Sequence, residues 1–330
     1  MSLGRGSRIV GIGSYAPQRV VTNLDLEQLV DTSDQWITER TGVKERRVAE
    51  PGQASSDLAW EASVRALEMA HLTAADLDMV IVGTITPDHP LPACASVLHQ
   101  RLGAKDIPAF DVSAACAGFI YGLSVADQFI RTGMCDRVLV VGVEMLSKVV
   151  NWQDRNTCVL FGDGAGAVVL VPAEHEGGRV LSSRLYTDSS LIESLWIPAG
   201  GSREPVTAEA LAAQRNKVRM VGSDVFRVAV RNLTAASRSA LAAAGLGPER
   251  VDWMVPHQAN LRIINQVAQR LGIPRERFVL NIDRYGNTSS ASIPIALDEG
   301  VRDGRVRPGH TVLMCALGAG VSWASALVRM

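Results

Sequence analysis

The strongest constraint on the fold is internal: the second half of the 330-residue chain repeats the first. Asp76–Gly83 (D-L-D-M-V-I-V-G) matches Arg250–His257 (R-V-D-W-M-V-P-H), and a long alanine-rich helix signal precedes each run. Ala126–Gly133 (A-D-Q-F-I-R-T-G) matches Leu297–Gly304 (L-D-E-G-V-R-D-G) at an offset of 171 residues (304 − 133). Val138–Val140 then matches Val312–Met314 in the strand that follows. Two copies of a strand–helix unit pack around a shared pseudo-twofold axis, which brings equivalent positions together at the centre. Strands alternating with helices along the chain predict an α/β fold, with a parallel-rich sheet covered on both faces. The polar, turn-rich stretch Pro172–Gly178 is the natural seam, so residues 1–174 and 175–330 are the expected halves.

A joint of the same kind sits in each half. Ile107–Val112 predicts a short buried strand, and Ala117–Ile130 a buried helix closed by Gly133. Cys116 stands between them. A thiol at a helix N-terminus faces unpaired N–H groups and the positive end of the helix dipole, both of which favour thiolate. Its neighbours Ser113, Ala114, Ala115, Ala117 and Gly118 are small enough to let a substrate approach. By itself the residue also reads as an inert buried hydrophobe. The offset of 171 makes Asn287 the equivalent of Cys116, at the start of the partner helix and facing the thiol; alone, Asn287 reads as a helix cap. His257 ends the predicted strand Val251–Val255, at the sheet edge where open α/β folds place ligands. The other histidines (His71, His89, His99, His175 and His310) lie among polar or turn residues and are expected to be solvated. A thiolate suits attack on an acyl carbon, and a neutral imidazole with an amide suits stabilising a negative oxygen.

Other classes of function find little support. Hydrophobic residues at 47% and charged residues at 20% imply a large core, and a formal charge of −1 argues against nucleic acid or a membrane surface as the main partner. The five cysteines are odd in number, widely spaced and without C-x-x-C, which fits a reducing cytoplasm and gives no zinc site. Nor does any H-x-x-x-H or acidic cluster suggest a metal. The apolar run after Met1–Arg8 is too short and broken for a signal peptide or membrane span. Gly162–Gly166 and Gly318–Gly320 tempt a nucleotide reading, but neither gives G-x-G-x-x-G between a strand and a helix. Gly318–Gly320 reads either as a packing turn or as backbone brought close to the centre as an oxyanion donor. Arg40, Arg155 and Arg262 follow turns and could meet phosphates, though each alone reads as a solvated arginine.

The chain resembles the β-ketoacyl-acyl-carrier-protein synthase III family of the thiolase superfamily, end to end. The resemblance is carried by D-T-S-D-Q-W-I (31–37), R-T-G (40–42), D-V-S-A-A-C-A-G-F (111–119) and F-G-D-G-A-G-A (161–167) in the first half. In the second it is carried by V-P-H-Q-A-N-L-R-I (255–263), R-Y-G-N-T-S-S-A-S (284–292) and A-L-V-R-M (326–330). It implies thiolase-like duplicated βαβαβ halves layered α-β-α-β-α. The implied activity is decarboxylative condensation of an acyl-CoA primer with malonyl-carrier protein, initiating fatty-acid synthesis without a metal or redox cofactor. Cys116 would be acylated, with His257 and Asn287 completing a triad and the backbone of Cys116, Ala319 and Gly320 holding the oxyanion. Trp36 and Arg155 would hold the adenine end of coenzyme A. Arg40, Gly222, Phe226 and Asn260 would line the pantetheine arm, and Gln258 and Arg262 would meet the acyl carrier protein. A homodimer is implied, with Leu91 bordering the partner's acyl pocket.

Three positions depart from the family's pattern: Ala319 replaces a glycine, Ser223 an asparagine that helps hold pantetheine, and Leu91 an often aromatic residue. Alternative activities are a sister condensation in alkylquinolone or polyketide priming, a cysteine thioesterase, or a non-catalytic acyl-binding module.

Overall fold

Two sheets, each drawn from one half of the sequence, carry the fold. The computed structural model describes residues 5–174 and 177–330. The expected seam between 174 and 175 therefore falls at the edge of the described residues, and His175 lies outside them. In the first sheet the strands run in the order Ser7–Tyr15, Asp163–Pro172, Val138–Met145, Met79–Gly83, Ala109–Val112. Met79–Gly83 is parallel to both of its neighbours, and the other two pairs are antiparallel. The second sheet runs Trp253–Pro256, Thr311–Gly318, Ser322–Arg329, Arg179–Thr187, with only its first pair parallel. The expected parallel-rich sheet is thus two mixed sheets. Val138–Met145 is joined to Asp163–Pro172, and Thr311–Gly318 to Ser322–Arg329, without a crossover α-helix, so the chain returns antiparallel.

Side-chain alternation along the strands builds five layers. Val138 and Val140 face inward, with Val312 and Met314 of the other sheet, onto helices Gly118–Thr132 and Ser292–Arg302. Leu139, Val141 and Val143 face outward onto helices Ser55–Ala70 and Cys94–Leu102. The outer face of the second sheet, with Leu313 and Cys315, meets helices Gly222–Ala243 and Leu261–Leu271. The order is α-β-α-β-α, and the two central helices are those that follow the predicted joints. A buried Val or Leu contributes about 1.5–3 kcal/mol, so strands buried on both faces hold the centre rigidly.

One predicted strand is missing. Phe278–Asn281 makes only a single bridge, Met254 to Phe278, with Val279 N–H donating to Met254 O at 3.0 Å. The Gln258 side chain takes up what a ladder would satisfy: its amide donates to Val279 O (3.4 Å) and accepts from Asn281 N–H (3.2 Å), after which helix Ile282–Tyr285 begins. The stretch read as irregular, 187–221, holds a short helix, Ala208–Ala212, and a two-stranded ribbon of Leu195–Trp196 with Arg219–Met220. Among the described residues no helix is long and apolar enough to cross a membrane, no His/Cys/Asp/Glu group could hold a metal, and all five cysteines are free and buried.

Candidate active site

Each central helix is entered through a 3-10 turn: Ala115–Ala117 before Gly118–Thr132, and Ser289–Ala291 before Ser292–Arg302. Both turns begin on a non-glycine residue in the left-handed region, Ala115 at φ +46° and Ser289 at φ +49°. That conformation costs an L-residue about 1–2 kcal/mol, and it persists where surrounding structure fixes it. The shared strain marks the two turns as equivalents, at an offset of 174 (289 − 115). Met79 and Trp253, which open equivalent strands, share this offset, as do Val138 and the strand residue Val312. The offset of 171 holds only at the far ends, Gly133 and Gly304: the second helix has 11 residues against 15, and its glycine comes one residue later, after Asp303.

The twin of Cys116 is therefore Ser290, and the expected equivalence with Asn287 is incorrect. Asn287 comes to the centre three residues earlier, by a different route. Its N–H donates to Leu160 O at 2.8 Å, its carbonyl accepts from Gly162 N–H at 3.0 Å, and its side-chain oxygen accepts from Ser289 N–H at 2.9 Å. The glycine-rich run at 162 is thus a strut for Asn287 rather than a phosphate loop. A Cβ on Gly162 would lie 2.4 Å from Tyr285 O, so only glycine passes there.

The same offset pairs Cys116 with Ser290 and His257 with Gly83. Ser290 Oγ donates to Gly83 O at 2.7 Å. At an offset of 174 the twin of Gly83 is His257, so the twin of this contact would set the Cys116 side chain against the backbone carbonyl of His257. A neighbouring pair follows the rule: Gly83 packs on Gly118, and their twins His257 and Ser292 lie with Nδ1 2.6 Å from Oγ. From the remaining side Gly318 closes on the thiol's backbone, since a Cβ there would be 2.5 Å from Cys116 N. Ala319 follows it in the wall, and Gly320 turns the chain at φ +70°. The segment 287–292 is the common support: Asn287 opens it, Ser289 lies beside Cys116, and Ser292 holds His257.

Burial sets the charges. It pushes the Cys116 thiol up to about 12, a direction in which Glu144 adds and which the Ser289 hydroxyl opposes. The expected low thiol pKa is thus not what the site produces. The thiol sits in the 3-10 turn ahead of the helix, where loss of water outweighs the helix N-terminus. His257 is pushed down to about 3 by burial and is neutral near pH 7. Near pH 7 both the thiol and the imidazole are neutral.

Cys116, Ser289 and Ala319 line a cavity of about 220 Å³. Ile85, Leu146 and Phe161 from the first half complete one wall, and Leu195, Ile197 and Val218 from the 187–221 insertion complete the other. Sequence reasoning missed this second wall, which lacks periodicity. It also missed Ser292, Ser289 and Glu144, although a lone acid in the apolar run V-L-V-V-G-V-E-M was a visible signal.

The remaining expected residues divide. Arg40 (5.1 Å) and Arg155 (4.9 Å) both lie over the ring of Trp36, which belongs to the same apolar cluster as Ile85, Leu195 and Ile197 of the cavity wall. Arg262 lies over Phe226 at 5.6 Å. Asn260 caps helix Leu261–Leu271 and donates to Arg40 O at 3.0 Å, which ties the two stacks together. Gly222 is exposed at the start of the helix carrying Phe226. Gln258 is a correction: it is 1% exposed and its amide is used internally, so it presents nothing to a carrier protein. Leu91 is 86% exposed and lies outside the cavity wall of its own chain.

Residues 110–189 match the family model for 3-oxoacyl-[acyl-carrier-protein (ACP)] synthase III, and residues 241–330 match its C-terminal counterpart. A β-ketoacyl-[acyl-carrier-protein] synthase III of Caldanaerobacter subterraneus subsp. tengcongensis is 51% identical over 321 residues, 97% of either chain. The crystal structure of 3-oxoacyl-[acyl-carrier-protein] synthase III from Aquifex aeolicus VF5 superposes with a TM-score of 0.91 at 46% identity, covering 98% of this chain and 100% of that one. The priming β-ketosynthase of the R1128 polyketide pathway superposes at 0.92 with 38% identity, covering 99% and 97%.

Proposed function

The chain belongs to the 3-oxoacyl-[acyl-carrier-protein] synthase III family, and from that premise we propose how its central residues carry the family's reaction. It is an acyltransferase of fatty-acid biosynthesis, a condensing enzyme that joins an acyl-CoA primer to malonyl-carrier protein with loss of CO2 through an acyl-cysteine. In our reading Cys116 is the thiol that takes the acyl group, with the backbone of Cys116, Ala319 and Gly320 around the oxyanion. His257 and Asn287 then hold the oxygen of the malonyl thioester while CO2 leaves and the carbanion attacks the acyl-enzyme.

The observation that carries this reading is the convergence of all three groups on segment 287–292. Ser292 Oγ accepts from Gln258 N–H, and in our reading it gives its hydroxyl proton to His257 Nδ1, so that the ring's own proton is on Nε2. Asn287 spends its oxygen on Ser289 N–H, which leaves its amide N–H groups to donate. Both groups are thus prepared as neutral donors, suited to an enolate oxygen. A thioesterase would need a base exposed to water beside the acyl-thiol. Glu144, the acid that bears on Cys116, is turned away from the cavity. The test is intact mass after exposure to a panel of acyl-CoAs. A single acyl adduct that disappears in Cys116→Ala is expected, and an adduct on another cysteine would overturn the assignment.

Trp36 and Arg155 hold the adenine end of coenzyme A in this reading, and Arg40, Gly222, Phe226 and Asn260 line the arm. Arg262, exposed beside Phe226, is left as the contact for the acyl carrier protein. No metal or redox cofactor has a role in the reaction so written, and the cytoplasm is its compartment.

A homodimer is part of the proposal. Ala109–Val112 is an edge strand with one side unpaired in the single chain, and such edges are ordinarily covered. Exposed Leu91 stands on the approach to helix Cys94–Leu102, which packs on that strand, so a partner across the edge would receive it. Sedimentation should give a dimer. With leucine at this position, octanoyl-CoA should acylate at least as fast as acetyl-CoA. Leu91→Phe should cut the octanoyl rate roughly 15-fold relative to acetyl, the worth of about two buried methylenes at about 0.8 kcal/mol each. A monomer, or an unchanged ratio, would remove Leu91 from the pocket.

A further inference from the structure

Glu144 is the only charged residue of the apolar strand Val138–Met145, and it is fully buried. No step of the reaction above uses it. Beyond strand Met79–Gly83 the sheet supplies one more bond, Thr84 N–H to Val112 O at 3.3 Å, and then leaves the chain at Ile85. Glu144 takes over there. Ile85 N–H donates to both of its carboxylate oxygens, at 3.3 and 3.2 Å, and among the described residues to nothing else. Thr86 Oγ1 donates to the same carboxylate at 2.7 Å and accepts from Met145 N–H at 2.9 Å. The hydroxyls of Thr84 (3.4 Å) and, from the second half, Ser289 (3.1 Å) and Ser290 (3.3 Å) converge on it as well.

The Ile85 side chain lines the cavity that holds Cys116. On its other side the same turn borders a second cavity, of about 520 Å³, lined by Ile85, Thr86, Pro87 and Met145. Ile85 is thus a partition with space on both sides, and close packing does not fix its depth. The carboxylate does. We propose that Glu144 is a positioning residue for the primer: by fixing the Ile85 backbone it sets the wall along which the acyl chain lies beyond the sulfur. Displacement to either side harms a long chain, since inward movement blocks it and outward movement withdraws apolar contact. An acetyl group ends beside the sulfur and feels the wall less. The proposal rests on Cys116 being the acylated residue.

Glu144→Leu takes the acceptor from the Ile85 N–H, and the turn must move to find another. Initial rates of acylation at Cys116, read by intact mass with octanoyl-CoA and with acetyl-CoA, give a ratio that a uniform loss of activity leaves unchanged. The octanoyl-to-acetyl ratio should fall roughly tenfold in Glu144→Leu, the contact of about two methylenes. It should fall roughly fourfold in Glu144→Asp, whose carboxylate is drawn back by about one methylene. Glu144→Gln keeps an acceptor for the Ile85 N–H while the hydroxyls rotate to suit it, and should hold the ratio within about twofold. Ile85→Ala should lower the ratio at least as far as Glu144→Leu, and the double variant should fall less than about threefold further, since both changes act on one wall. Equal losses with both primers, full additivity, or a loss in Glu144→Gln matching that in Glu144→Leu would each overturn the proposal. Glu144→Asp decides the matter if Glu144→Leu fails to fold. Acylation of the unmodified protein tests the functional reading by itself, so the ratio among variants can fail while that reading stands.

Discussion

Cys116→Ala is expected to form no acyl-enzyme with any acyl-CoA and to make no condensation product, yet still to release CO2 from malonyl-carrier protein. The two half-reactions make different demands on the centre. Transfer needs the sulfur itself, since the acyl group is covalently stored there. Decarboxylation needs only that charge be stabilised on the malonyl thioester oxygen, and His257 and Asn287 remain in place because segment 287–292 supports them independently of the thiol. The variant loses one sulfur at a nearly closed position, so folding should survive: Cys116 is 8% exposed and flanked by alanines. Radiolabelled CO2 release, read beside intact mass, separates the two losses. Abolition of both in a folded variant would refute the division of labour.

His257→Ala and Asn287→Ala should show the reverse pattern. Each should still become acylated, and each should release CO2 a hundred- to thousandfold more slowly, the usual cost of about 2.7–4 kcal/mol for one oxyanion donor. Removing both should cost less than the sum, because they act on one oxygen as a unit. The buried neutrality of His257 gives the test a pH signature. With its pKa pushed down to about 3, the imidazole does not gain a proton between pH 6 and 8, so CO2 release should lack a titration near the ordinary histidine value. If His257→Ala blocked acylation while sparing CO2 release, the histidine would be the base for the thiol, and the mechanism would have to be rewritten.

The duplicated architecture was legible because it rests on repeated patterns: Val-rich strands, a buried helix after each joint, and glycine at both helix ends. Cys116, His257 and Asn287 could be singled out because each ends a strand or opens a turn. What failed were details that depend on distance rather than pattern. The equivalence of Asn287 with Cys116 was taken from helix C-termini, where the shorter second helix locally changes the offset from 174 to 171. Phe278–Asn281 has strand composition, but the Gln258 side chain took over its hydrogen bonds. The same burial removed Gln258 from any partner's reach. Thiolate character was inferred from the helix end alone, and only the enclosed geometry reveals that desolvation prevails. Leu195, Ile197 and Val218 could not be assigned to the cavity because an irregular insertion has no period to read.

Gly83 has a wider meaning in the history of such a chain. Duplication hands a protein a spare copy of whatever centre it carried, and here the spare seats can be named: Gly83 for the histidine, Ser290 for the cysteine. The spare cannot be reawakened by one replacement. Any side chain at Gly83 would put its Cβ 2.7 Å from the backbone carbon of Gly118, two residues after Cys116. Ser290 has likewise been redeployed, its hydroxyl fastened to Gly83 O. What began as a second workshop is now the foundation of the first. Changes there surface as defects in the surviving centre, and the path back to two is closed in single steps.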